Sequence, residues 1–171
     1  LPSSGDQFSS LTTVTQQLKP EKFLNYEGGF KWEVKPSLSL TSAVYRLNRM
    51  NTRATDPNDP TRIVQTGSHR TNGFEIGLGG RLLPALETVG GYSYQRAYVR
   101  SATTAARAGA TVGQVPRHAL TLWNNYRVQP RLKIGFGIIS RSDMFAAIDD
   151  TVTLPGYVRA DAGVYFSLKP D

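Results

Sequence analysis

The sequence predicts an all-β fold, an antiparallel up-and-down meander of about seven strands, and three observations carry that prediction. Apolar and polar residues alternate with period two rather than 3.6 along most of the chain. The alternating segments are joined in turn by tight proline breaks and by long polar loops. No apolar run approaches the ~18 residues of a membrane-spanning helix, so any crossing of a bilayer is left to strands.

Taken in order, the first segment is 24–34, where Leu24, Tyr26, Phe30, Trp32 and Val34 share one face with Gly28, and Asn25, Glu27, Gly29, Lys31 and Glu33 take the other. After Lys35-Pro36, Leu38, Leu40 and Val44 keep the phase, which blurs beyond Tyr45. Phe74, Ile76, Leu78 and Leu82 oppose Glu75, Gly77, Gly79 and Arg81; Leu86, Tyr92 and Tyr94 oppose Glu87, Ser93 and Gln95. Leu120, Leu122 and Tyr126 oppose Thr121, Asn125 and Arg127, with Trp123 out of phase. Leu132, Ile134, Phe136 and Ile138 oppose Lys133, Gly135 and Gly137, and the last segment sets Val158, Ala160, Ala162, Val164, Phe166 and Leu168 against Arg159, Asp161, Gly163, Tyr165 and Ser167.

Pro36, Pro84 and Pro130 recur where strands must reverse, since proline presets φ for a turn and cannot donate to the ladder. The connections at the other end, 51–62, 100–114 and 141–153, are long, polar and rich in turn residues. Short turns at one end and long loops at the other describe transmembrane barrels, with short periplasmic turns and long extracellular loops. A soluble sandwich or lipocalin would also alternate. Aromatic placement favours the membrane, because Tyr26, Trp32, Tyr92, Tyr94, Tyr98, Tyr126 and Phe166 lie mostly near strand ends, as interfacial girdles do. The expected orientation puts even-numbered apolar residues in lipid and odd-numbered polar ones in the lumen.

Charged residues make up 19% of the chain, below the roughly 25% of soluble domains. There is no cysteine, which removes disulfides and thiolate sites, and the net charge of +7 points to an anionic partner.

Several stretches, read together, resemble TonB-dependent outer-membrane receptors for ferric siderophores, most closely the catecholate type. They are "LKPEKFLNYEGGFKWEV", "NTRATDPNDPTRIVQTGSHRTNGFEIGLGG", "GGYSYQRAYV", "VPRHALTLWNNYR" and "LPGYVRADAGVYFSL", in the family's order over nearly all of 18–168. The resemblance implies a C-terminal portion of a large barrel in the bacterial outer membrane, with residues 1–21 an extracellular loop or partial strand and 22–171 the barrel segment. It further implies a ferric siderophore as transported ligand with no cofactor bound directly. The implied partners are the plug domain and remainder of the barrel, the TonB complex through that plug, and outer-membrane lipid and lipopolysaccharide. Nothing in the chain resembles the plug, and seven strands are not expected to close or to transport by themselves. The alternative is a small self-closing outer-membrane barrel, an adhesin, structural protein or enzyme, with "FSSLTTVT" (8–15) as an eighth strand.

Other motifs are weaker. His69 and His118 lack carboxylates at ligand spacing; "GFEIGLGG" has no helix after it to hold a phosphate; Asp56, Asn58 and Asp59 lack the spacing of a calcium loop. No catalytic residue and no metal ligand is assigned, and no enzyme activity is expected. The basic residues of the loops remain: Arg53, Arg62, Arg70, Arg100, Arg107 and Arg117, with Tyr98 able to stack, form the expected mouth for an anionic ferric catecholate. Contact with the phosphates of lipopolysaccharide is the other use for such residues. Nucleic acid is disfavoured, as no helix or aromatic platform presents them.

Overall fold

The computed structural model describes residues 19–56, 59–65, 67–102 and 106–168. The candidate strand at 8–15, nearly all of the 1–21 segment, and Asn58 lie outside them. Eleven strands and no helix occur among the described residues: β1 (Lys22–Lys35), β2 (Leu38–Met50), β3 (Arg53–Asp56), β4 (Asp59–Gln65), β5 (Ser68–Leu83), β6 (Leu86–Val99), β7 (His118–Gln129), β8 (Leu132–Arg141), β9 (Met144–Phe145), β10 (Thr153–Leu154) and β11 (Tyr157–Phe166). The seven long ones form one antiparallel sheet in the order β1-β2-β5-β6-β7-β8-β11, so each strand pairs with its chain neighbour in the meander. β1 and β11 are its two edges, and they do not pair with each other.

The register explains how one alternation serves seven strands. Away from the three proline turns, directly opposed residues share parity: one row runs Trp32, Leu40, Leu78, Gly90, Leu122, Ile138, Ala160 across the whole sheet, and the next runs Lys31, Thr41, Gly77, Gly91, Thr121, Ile139, Arg159. Opposed residues project from the same face, so even numbers hold one face and odd numbers the other up to the turns, where a register shift brings Lys35, Leu83 and Gln129 opposite even residues. Among the exposed large apolar residues of these strands, all but Phe23, Leu83, Val89, Tyr157 and Tyr165 are even. Every Asp and Glu in them is odd: Glu27, Glu33, Glu75, Glu87 and Asp161. An apolar band on the outside and a polar, glycine-rich wall inside is the division a membrane barrel requires.

The three proline turns are built alike. Two residues, Pro36-Ser37, Pro84-Ala85 and Pro130-Arg131, reverse the chain. Each is preceded by a one-residue register shift, between Glu33 and Lys35, Arg81 and Leu83, and Arg127 and Gln129. Such a shift sharpens the local twist. The second turn residue then extends the ladder to the following hairpin: the carbonyls of Ser37, Ala85 and Arg131 accept from the backbone N–H of Arg81 (2.6 Å), Arg127 (2.8 Å) and Ser167 (2.9 Å).

Three details differ from the sequence expectation. β2 continues to Met50, past the point where alternation blurs, because beyond the apolar band the outer face has no need of apolar residues, and Arg46 and Asn48 stand there. The loops at 51–62 and 141–153 carry short hairpins, β3–β4 and β9–β10. Trp123 is out of phase because it belongs to the lumenal face: its ring lies over Gly135 and Gly137, and its Nε1–H donates to Asn125 Oδ1 at 3.1 Å. A β-carbon on Gly137 would collide with that ring.

Candidate functional site

The most deeply buried apolar cluster lies at the loop end of the sheet rather than along it. It comprises Val99, Ala106, Ala110 and Ile148, drawn from the end of β6, the loop after it and the β9–β10 loop. Val99 is odd, so these loops fold inward over the lumenal face. The N–H of Val99 donates to Ala110 O (2.9 Å) and that of Val112 to Ala97 O (3.1 Å), laying residues 110–112 along β6. Gln114 N–H donates to Phe145 O at 2.7 Å and joins it to the β9–β10 loop. Asp150 fastens the same two loops: its carboxylate accepts from Thr111 N–H at 3.1 and 3.2 Å and faces Arg107 Nη2 at 3.6 Å. Asp150 has φ of 57°, a left-handed conformation that Asp tolerates. Ser142 Oγ accepts from the N–H groups of Arg117 and His118, at 3.0 and 3.2 Å.

Where the loops after β2, β6 and β8 converge they enclose a cavity of about 220 Å³ lined by Arg49, Arg53, His69, Gln114 and the 146–148 backbone, among others. Glu21 anchors the first of these loops, pairing with Arg49 at 3.0 Å and accepting from Arg53 N–H at 3.3 Å. Arg49 Nε is buried with no hydrogen-bond partner among the described residues. His69 is buried, and its pKa is lowered by that burial and then by Arg49, with Glu21 opposing. An uncharged imidazole lining the same recess as two guanidiniums leaves it positive and able to hydrogen-bond part of an anion.

The basic residues singled out from sequence separate by face. Arg53 lines the recess, Arg107 is ion-paired to Asp150, and Arg117 stands exposed at the start of β7, beside Ser142. Arg70 and Tyr98 are even and stand on the outer face of β5 and β6, where Arg100 joins Arg70 and Arg46 along a groove. Arg62 lies on β4, and its side chain is outside what the structure describes. The sequence reading passed over Asp150, Glu21 and the apolar run Phe145–Ile148. That run, inside an otherwise polar loop, was the available sign of a loop core.

An open meander with an apolar exterior, a polar glycine-lined interior and inward-folded loops is a wall segment of an outer-membrane barrel. The chain belongs to the TonB dependent receptor-like β-barrel family, whose sequence model matches residues 1–171. Family barrels sit in the outer membrane of Gram-negative bacteria, which places this segment there. It is 31% identical, over 96% of its length, to the probable TonB-dependent siderophore receptor PiuA of Acinetobacter baumannii, and covers 23% of that protein. It is 33% identical, over 84% of its length, to the catecholate siderophore receptor Fiu of Escherichia coli K12, covering 20% of it. The crystal structure of PiuA superimposes with a TM-score of 0.77 at 28% identity, over 93% of this chain and 24% of that one. The chain thus spans about a fifth to a quarter of these relatives.

Proposed function

We propose that this segment supplies part of the wall and three outer loops of a receptor that binds a ferric siderophore, of catecholate type, and imports it by TonB-dependent active transport. The observation that carries the reading is the lumen-side recess of Arg49, Arg53, His69 and Gln114 beneath interlocked loops. The names of the 31–33% identical relatives support the substrate class. A ferric catecholate is a multiply charged anion, and basic groups around a concave, low-dielectric mouth raise its capture rate. Energy coupling and gating belong to a plug and to the rest of the barrel, with which the polar odd-numbered wall would make contact. The segment acts as a receptor, not as an enzyme.

The test uses the complete receptor, purified and folded, with Arg53, Arg107 and Arg117 changed together to Gln. Association of a ferric catecholate at low salt should slow by about tenfold and lose much of its salt dependence. An unchanged rate and salt slope would remove these residues from the capture site.

A further inference from the structure

A buried histidine and three left-handed loop residues meet at one place. His69 is 5% exposed at the loop end of β5, on the lumenal face, where Arg49 of β2 and Val99 of β6 stand directly opposite it. The recess beside it has a floor and a cover of different chemistry. The floor is basic: Arg49 and Arg53 line it with His69, and Glu21, paired with Arg49 at 3.0 Å, is the carboxylate that acts on the imidazole. Arg70 and Arg100 line the outer groove on the far side of the wall. The cover is uncharged, since residues 112–114 and 146–148 contribute no ionisable side chain.

Three loops converge on this point, and each carries one left-handed residue that is not glycine. They are Asn51 (φ 58°), Gln114 (φ 60°) and Asp150 (φ 57°), the only ones among the described residues. Asn and Asp tolerate that conformation, and Gln does so less well. Gln114 therefore holds strain in the turn that roofs the recess, where strain can keep two arrangements close in energy. The two halves of the cover form one body. Gln114 N–H donates to Phe145 O at 2.7 Å, and a β-carbon on Gly113 would collide with the backbone of Ala147, so the loops touch main chain to main chain.

Charge decides what this cover can close upon. An imidazolium would be a third cation beside two guanidiniums, under a cover that offers it no anion. Burial and Arg49 both oppose it, and Glu21, already shared with Arg49 and the Arg53 N–H, offsets them only in part. Asp150 faces Thr111 and Arg107, on the joint of the cover itself. An imidazolium regains water when the cover lifts.

We infer that His69 is an acid-operated latch: uncharged, it lets the 112–114 and 146–148 turns close on the wall, and protonated, it releases them as one body and opens the mouth. The inference concerns the recess on which the receptor reading rests, but its test uses no ligand, so the two can fail separately.

The test places nitroxide pairs on the complete, ligand-free receptor and measures their distances by pulsed electron resonance from about pH 7.5 to about pH 4.5, a range spanning ordinary histidine and carboxylate values. Lys22–Ala108 and Lys22–Val152 report the cover against the wall, and Ala108–Val152 reports within the cover. The ratio of open to closed forms should rise by up to about tenfold per pH unit as pH falls from about 6.5, the value of a solvated histidine. The first two distances should lengthen together and the third should hold. In His69→Gln the rise should vanish, and in His69→Lys the open form should prevail at neutral pH. No lengthening in the wild type, the same rise in His69→Gln, or a closed cover in His69→Lys would overturn the latch. So would a rise that begins only near about 4.3, the value of a carboxylate, which would give the effect to Glu21 or Asp150. A lengthening of Ala108–Val152 would overturn the single body. If neither His69 variant assembles, Gln114→Gly, which relieves the left-handed turn without touching charge, should lower the open fraction several-fold at acid pH, and an open fraction no lower than wild type would refute the strained cover.

Discussion

Replacing Asp150 tests whether the mouth is held together by one carboxylate. In Asp150→Ala the amide of Thr111 loses an ionised acceptor that is only 12% exposed, a loss of about 1.5–3 kcal/mol. Alanine at φ of 57° adds about 1 kcal/mol of left-handed strain. The Arg107 partner adds little, because its side chain is 78% exposed and such pairs contribute about 0–1 kcal/mol. Local opening of the loop around Thr111 should then become easier by about 2.5–4 kcal/mol, or roughly seventyfold to a thousandfold in the exchange rate of the Thr111 amide. Asp150→Asn keeps an acceptor and a residue suited to the backbone, so its effect should be about fivefold. The assay is amide hydrogen exchange on the folded receptor, with the Ala110 and Val112 amides read alongside. Unchanged exchange at Thr111 in the alanine variant would refute the fastening role. Arg107→Ala proving as damaging as Asp150→Ala would show that the ion pair, not the amide contact, does the holding.

Spin labels at Ile76, Ile134 and Val164 should be broadened by a lipid-soluble relaxer, and labels at Ser93, Thr121 and Gly163 should not; the opposite pattern would invert the faces. Gly137→Ala should destabilise the barrel by about 1–3 kcal/mol through collision with Trp123 and the Leu122 carbonyl, whereas Gly28→Ala, with open space at its β-carbon, should leave the unfolding temperature unchanged. His69 has a depressed pKa, so on acidification the unfolded state takes up its proton first, and stability rises with pH through that window. Protection of the inter-loop amides should therefore weaken as pH falls below about 6.5, and a His69→Gln receptor that kept the same pH dependence would exclude this histidine as its source.

The strands were legible because one parity rule governs them away from the turns: with even set against even from strand to strand, the alternation along 24–34 already states which way Phe166 points. The turns were legible because proline has few alternatives. The mouth was far less so. Arg70 and Arg107 look equivalent in sequence, both basic and near loops, yet one is on the outer face of a strand and the other is bound to a carboxylate 43 residues further on, Asp150. Loop pairing of that kind leaves no period in the sequence. Parity would have separated Arg70 from Arg49 had β5 been known to begin at Ser68, but alternation stops marking a strand once it rises above the apolar band.

The carbonyls of Ser37, Ala85 and Arg131 bear on how such a wall is put together. A hairpin such as β1–β2 cannot satisfy its own turn: the Ser37 carbonyl finds its partner only when Arg81 arrives with the next hairpin. The same debt passes to Arg127 and then to Ser167. A wall stopped after any one hairpin therefore carries an open acceptor at the foot of its last turn. Growth by whole hairpins, each completing the one before it, is the order of assembly in which every turn but the newest is closed.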